Sequence, residues 1–411
     1  MKKLIQFKER GQALVIIAIA GIALIAFAAL AIDGSMVFSD RRHAQNAADT
    51  AALDAALAKT RGGNWNSEGL DRAASNSYNN NGTSNFVYLY NPPIDGKYQG
   101  DSQYVQVKIT SIVSTRFARI VGVSQITNKV EAVARSIPST VSPMFAGNAV
   151  VGLAPHDCKA VMYQGNASTR VIGSGIFVNS DCNDAAFFNH STAAQLTAPC
   201  LQSVGGIQAA TGVLNIPSNC INTGATSYNY PPDNMAFPNV VCPSGTSRSG
   251  NTLGPGTYSG HFPPNGVTHL NGGVYCVNGD FRVNGGDSLT GDEVLIVMQS
   301  GDLSFNGGAK IQLSGIPGPR TDVNQLGGLF LYMPMTNCGT ITINGNSNSG
   351  FVGTILAPCS DVSIEGTGGS GLQGQIIGYT VDLAGTADTT IIYNEAQNWQ
   401  APVPPKIELT Q

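Results

Sequence analysis

Between Ala13 and Ile32 the chain carries no charge, and only Gly21 interrupts the run of apolar side chains. A helix rising about 1.5 Å per residue would make this run roughly 30 Å long, the thickness of a hydrocarbon core. Secretory leader segments hold only about 7–15 apolar residues. The pattern therefore predicts a retained membrane-spanning helix. The competing reading is a long signal peptide cut near Ala29-Leu30-Ala31. It requires a change of character after Ile32, and the sequence continues instead as helix. Lys2, Lys3, Lys8 and Arg10 precede the run with Glu9 as the only acid. Positive charge on that side predicts a cytoplasmic N-terminus, with the bulk of the chain outside.

Past the run, alanines pair at 47/48, 51/52 and 55/56, flanked by Ala44 and Ala58. A four-residue recurrence puts them on one face of a strongly helix-forming segment. Gly62-Gly63 ends it. One helix of about 50 residues is expected, with Gly34 its only weak point. The alanine face has two readings that stay open at this stage. It allows close approach to another helix or domain, or it simply propagates the helix.

Residues 62–140 read as a small α+β module. FVYLY (86–90) and YVQVKITSIV (104–113) alternate as half-buried strands do, with Val105, Val107 and Ile109 on one face. FARIVGV (117–123) suits a short helix and TNKVEAVARS (127–136) a closing strand. IPSTVSPMF (137–145) reads as a linker, since Pro138 and Pro143 block helix.

From about residue 141 the period changes. DFRVNG, DLSFNG, TITING, DVSIEG and TVDLAG end at Gly285, Gly307, Gly345, Gly366 and Gly385, separated by 22, 38, 21 and 19 residues. The long interval holds an inserted loop, GIPGPRTDVNQLGG. Aligned on the glycine, one column reads Phe281, Leu303, Ile341, Val362, Val381. A second reads Val283, Phe305, Ile343, Ile364, Leu383, with polar or small residues between. Each repeat also carries a second apolar run, such as VLIVM (294–298) or LFLYM (329–333). Units of this length that bury one face only by stacking are coils of a right-handed parallel β-helix; a β-sandwich is the alternative. The fold class is therefore mainly β, behind an N-terminal transmembrane α-helix with its helical extension. The expected segments are 1–61 (tip, span and extension), 62–140 (α+β module), 141–400 (Gly/Asn-rich β-helix) and 401–411 (proline-rich tail).

All eight cysteines lie between Cys158 and Cys359. An even number confined to one region predicts disulfides and an oxidising compartment. Cys338 and Cys359 each sit seven residues before a repeat glycine, so successive coils stack them about 4.8 Å apart, within disulfide reach. Near-neighbour pairing, Cys158–Cys182, Cys200–Cys220 and Cys242–Cys276, is the simplest arrangement of the rest, although spacing alone leaves other connectivities open. Charged residues make up only 12% of the chain and the net charge is −4, with no basic stripe, so nucleic acid is not an expected partner.

No catalytic constellation emerges, and no enzyme, metal or cofactor is expected. The five histidines form no zinc spacing, and there is no nucleophile elbow, phosphate loop or dinucleotide fingerprint. Asp280, Asp302 and Asp361 share one repeat column and Asp382 lies two positions on, so a polysaccharide-active pair of carboxylates is the competing reading. Acids that open strands more often cap turns. The Asn-, Ser- and Thr-rich outer face also suits adhesion to surface carbohydrate, although the tyrosines there form no stripe.

The segment ERGQALVIIAIAGIALIAFAALAIDGSMVFSDRRHAQNAADTAALDAALA resembles the N-terminal segment of the TadE/TadG-like (tight adherence) Flp pilus-assembly proteins. It carries Arg10-Gly11 before the span and Ala31-Ile32-Asp33-Gly34 at its end. The motif Arg41, Arg42, Gln45, Asn46, Ala47, Ala48, Asp49, Ala51, Ala52, Leu53 follows. GNASTRVIGSGIFVNSDC (165–182) is similar to the extracytoplasmic part of longer members. The resemblance implies a bacterial envelope protein held in the cell membrane by one span, with pilin or pilus-assembly subunits as partners. It would be a minor pilin-like or base component, with assembly contacts on Arg41 to Leu53. Some pilin-like precursors are cut after a glycine before the span, here between Gly11 and Gln12. The glutamate usual five residues after the cut is replaced by Ile16.

Overall fold

The computed structural model describes residues 12–189, 194–232, 237–318, 326–345, 349–365, 371–385, 388–403 and 405–410. The chain divides into two compact units, one built from residues up to Ser139 together with the segment from Pro404, the other from Thr140–Val403.

In the first unit, helix α1 (Gln12–Thr60) runs unbroken through Gly21 and Gly34. A second helix, α2 (Trp65–Ser75), follows the Gly62-Gly63 stop. It was not expected from the sequence, although Asn64 caps it by accepting from the Ser67 N–H at 3.2 Å and Glu68 sits in its first turn. Strands β1 (Asn85–Tyr90), β2 (Tyr104–Ser114) and β3 (Gln125–Ile137) form an antiparallel sheet. Residues 118–121 of the β2–β3 connection make one 3-10 turn.

The alternation read from the sequence sets the packing. Val105, Val107 and Ile109 join Val87, Leu89, Ala132 and Ala134 in one core, and that core meets the alanine face of α1. Ala44, Ala47, Ala48, Ala51, Ala52, Ala55 and Ala56 are wholly buried. At roughly 0.8 kcal/mol per buried carbon, these methyls together outweigh any one polar contact in the unit. Small side chains let the helix axis lie close to the sheet.

Within 401–411, expected as a proline-rich tail, most of the described residues lie in strands. Lys406–Thr410 is a strand that pairs antiparallel with β3, from Ile137↔Lys406 to Val133↔Thr410. Ile407 alternates inward against the core. The other strand is Gln400–Val403. It pairs with Thr140–Pro143, inside the stretch expected to be a linker.

The second unit is mainly β, and its sheets are parallel almost throughout, as a β-helix requires. The aligned columns are literal neighbours: Phe281↔Leu303, Leu303↔Ile341, Ile341↔Val362 and Val362↔Val381 pair in parallel register. Their side chains point into a continuous core. The two other parallel ladders run through the apolar runs and through short polar strands such as Ser288–Gly291 and Lys310–Ser314.

Coil order along the stack differs from chain order. The strand Ile376–Gly385 pairs on one side with Thr354–Ile364 and on the other with Val150–Gly152 and Val161–Gly165. From residue 150 the chain thus starts in the middle of the stack and winds out to Ile221–Asn222 at one end. It resumes at the opposite end near Thr252–Leu253 and winds back to the middle.

Described residues on both parts of the connection between the two ends pack over one ladder as a strap. Tyr228 meets the rings of Phe145 and Phe177 at 5.0 and 5.2 Å, and Tyr230 lies against Tyr379. Further along, Phe237, Val240 and Cys242 pack on a second core that includes Leu295, Val297, Leu329 and Leu356. This explains why VLIVM and LFLYM are apolar on both faces. The sheet there is covered from both sides, the usual condition for unbroken apolar strands.

Candidate membrane anchor and its polar sockets

The N-terminal half of α1 carries a long run of exposed apolar side chains. Leu14, Phe27 and Leu30 are 73%, 75% and 70% exposed, and no part of the apolar window is buried. The helix is long and apolar enough to cross a membrane, the one candidate span among the described residues. Ala13 lies within α1, and Ile32 closes the exposed stretch. Gln12 opens the helix, whereas Gly11, on the other side of the expected cut, lies outside the described residues.

Where the span ends, the polar chemistry begins. Asp33 is buried, and its two carboxylate oxygens accept three backbone N–H groups: Arg116 at 2.9 Å, Phe117 at 2.9 Å and Ala118 at 2.6 Å. This ties the β2–β3 connection to the helix at the last turn of the span. Two turns on, Asp40 accepts from the Tyr78 hydroxyl at 3.1 Å, the Ser111 hydroxyl at 2.9 Å and the Asn128 amide at 2.7 Å. Burial pushes the Tyr78 phenol well above its ordinary value, and the Asp40 carboxylate adds to the shift. The phenol is thus a standing donor. The sequence marks Asp33 only as part of the Ala31-Ile32-Asp33-Gly34 motif and does not mark Asp40. The available signal was an acid placed in helix next to an apolar span, which needs a partner to be buried there.

The motif from Arg41 to Leu53 divides by helical face. Ala47, Ala48, Ala51 and Ala52 face inward and are spent on the unit's own sheet and on α2. The alanine face therefore packs within the chain, and these four side chains are closed to outside contacts. Gln45 donates to Asp49 at 2.8 Å and to the Glu131 carbonyl at 2.9 Å, bridging α1 and β3. Leu53 packs partly buried against the same core. Arg41, Arg42 and Asn46 stay exposed, so an outside contact from this motif falls to them.

In the second unit the cysteines pair as Cys158–Cys182, Cys200–Cys220, Cys242–Cys276 and Cys338–Cys359. The Cα separations are 5.2, 4.8, 5.7 and 4.8 Å, so three bonds join neighbouring coils and Cys242–Cys276 fastens the strap. Cys158 and Cys182 lie beside Asp184 in a cluster of ligand-type atoms. Their sulfurs are committed to each other.

The repeat-column acids bond mostly across coils. Asp302 accepts from the Thr340 backbone N–H at 2.7 Å, Asp280 from the Asp302 N–H at 3.2 Å, and Asp361 from the Thr380 hydroxyl at 2.6 Å. Asp382 differs. It is half-buried, and burial pushes its carboxyl up to about 6, with the Glu365 carboxylate adding to the shift.

Residues 11–58 match the family model Tad, described as "Putative Flp pilus-assembly TadE/G-like". The match covers the span and the helical extension that bears the alanine face. No curated protein and no solved structure matches the chain.

Proposed function

We propose that this chain is a membrane-anchored structural component of a Tad/Flp-type pilus, either a minor pilin-like subunit or part of the base. The observation that carries the reading is one helix with two surfaces. Its outer half is bare and apolar, as a span is, and its other half is the core helix of a folded unit. The family match falls on that same helix. A span continuous with a packed domain transmits position rigidly, which a subunit in a filament or base needs and a freely tethered enzyme does not. The basic residues before the span favour a cytoplasmic N-terminus and an extracytoplasmic second unit. Four disulfides fit an oxidising compartment. Pilin or pilus-assembly subunits are the expected partners, and Arg41, Arg42 and Asn46 are the exposed motif residues available to them.

The test is to shear the source cells and blot filament, membrane and medium fractions for residues 150–400. Protein in the sheared filaments, with a mass short by residues 1–11, identifies a processed subunit. Full-length protein held in the membrane pellet identifies a base component. Protein free in the medium and starting near Ile32 overturns the anchor.

A further inference from the structure

The β2–β3 connection presents apolar side chains that the fold does not need. Ile120 and Val121 are 82% and 78% exposed, and Phe117 and Val123 are partly exposed beside them. Four large apolar residues at a turn are unusual where a polar turn would close the same hairpin. The turn is not loose: the Thr115 N–H donates to the Ser124 carbonyl at 3.1 Å, and Val123 N–H to the Ala118 carbonyl at 3.0 Å. Asp33 fixes its first three residues to the end of the span. Asp33 thus holds the patch at the level where the exposed apolar surface that includes Leu24, Phe27 and Leu30 ends. Arg116 and Arg119 flank it, both exposed.

We propose that residues 116–123 form a membrane foot. Ile120 and Val121 enter the lipid interface beside the span, and Arg116 and Arg119 bind lipid phosphates. This rests on the membrane-anchor reading of α1. Lipid is the occupant that the observations favour, because Asp33 holds the patch at the end of the span and its two charges match anionic headgroups. Apolar side chains at a bilayer boundary gain from burial in the headgroup and acyl region, and a long arginine keeps its charge at the interface. A helix held in lipid at one point can swivel and tilt; a second contact, clamped by Asp33, fixes its rotation relative to the membrane plane.

The experiment uses the full chain reconstituted in vesicles of phosphatidylcholine with a minority of phosphatidylglycerol. All eight native cysteines are paired, so single introduced cysteines can be labelled with an environment-sensitive fluorophore. The labelled variants are Ile120→Cys, Val121→Cys, Phe27→Cys and Gln99→Cys. Gln99 lies in the loop beside Ser102, whose carbonyl accepts from Lys59 at the far end of α1. That end is about 39 Å along the helix from Asp33. The expected result is quenching by headgroup-proximal lipid-borne quenchers at 120 and 121 several-fold above that at 99, with 27 quenched by deep ones. The effect at 120 should fall when phosphatidylglycerol is omitted or when Arg116→Gln and Arg119→Gln are combined. If 27 is quenched while 120 and 121 match 99, the foot is overturned and the anchor stands. A blue-shifted but unquenched probe at 120 means that protein covers the patch, which also overturns the foot. No quenching at 27 overturns the anchor and the foot together.

Discussion

A methyl group at Gly69 would be crowded. A Cβ there would lie 2.2 Å from Leu89 Cδ2, 3.1 Å from Ala55 Cβ and 3.3 Å from the Ala51 carbonyl oxygen. The leucine tip can rotate away, but the α1 backbone cannot. Gly69→Ala sets a helix-propensity gain of about 1 kcal/mol against that crowding, so a small net change is expected. Gly69→Val adds bulk with no propensity to match and should cost about 1–3 kcal/mol by overpacking, read as a lower thermal midpoint of the first unit. A second residue-scale prediction concerns Asp382. Its carboxyl titrates near 6 in the fold against an ordinary 3.8. The folded state therefore holds the proton more tightly than the unfolded one, and stability falls as pH rises from about 4 to about 6. Two pH units correspond to about 3 kcal/mol, which partial solvent access reduces to about 1. Asp382→Asn should raise the melting temperature at pH 7–8 and leave it nearly unchanged at pH 4. An equal gain at both pH values would show that charge is not the cause.

At the scale of elements, the closing of loops by disulfides gives the clearest expectation. Cys338 and Cys359 stand 21 positions apart in sequence, and closing a loop of that length stabilises by about 3 kcal/mol in the chain-entropy account. Replacing both with serine should shift denaturation of the second unit by that order while membrane attachment is unchanged; an unaltered denaturation curve would mean that neighbouring coils already hold the loop closed. This pair was readable in advance because both cysteines stand at one offset from a repeat glycine. The columns from Phe281 to Val381 were readable for the same reason, since a period that recurs every coil is a local signal. Other elements lacked such a signal. Helix α2 has a cap at Asn64 but a mostly polar sequence around Gly69, so its burial depends on α1 lying across it. The alanine face of α1 carries the same pattern whether it meets a partner or its own sheet; only the sheet's position distinguishes them. Lys406–Thr410 looks like an extension of a proline-rich end until its partner on β3 is known.

For the whole molecule, the order of the coils was the least visible feature. Leu383 pairs with Tyr163 across 220 residues of sequence, and nothing local marks that partnership. It has a topological consequence. Because winding begins and ends in mid-stack, the second unit's first and last strands, Thr140–Pro143 and Gln400–Val403, run antiparallel with Thr140 opposite Val403. The first unit likewise brings Ile137 opposite Lys406. The second unit is therefore an insertion at a hairpin end of the first, the kind of site at which a domain can be added or removed without reordering strands. Replacing residues 138–405 with a short Asn-Gly turn should leave a chain that keeps α1, α2 and the sheet β1, β2, β3 and Lys406–Thr410, with a two-residue hairpin in place of the insertion. That chain should enter membranes as the parent does and show cooperative melting with protected amides in β2 and β3. If it aggregates or shows no protection while a chain ending at Ile137 behaves identically, the C-terminal strand contributes nothing to the first unit. If the shortened chain folds and the chain ending at Ile137 does not, the last residues of the sequence are a structural strand of the anchor domain. The second unit is then a module that the first carries and does not require.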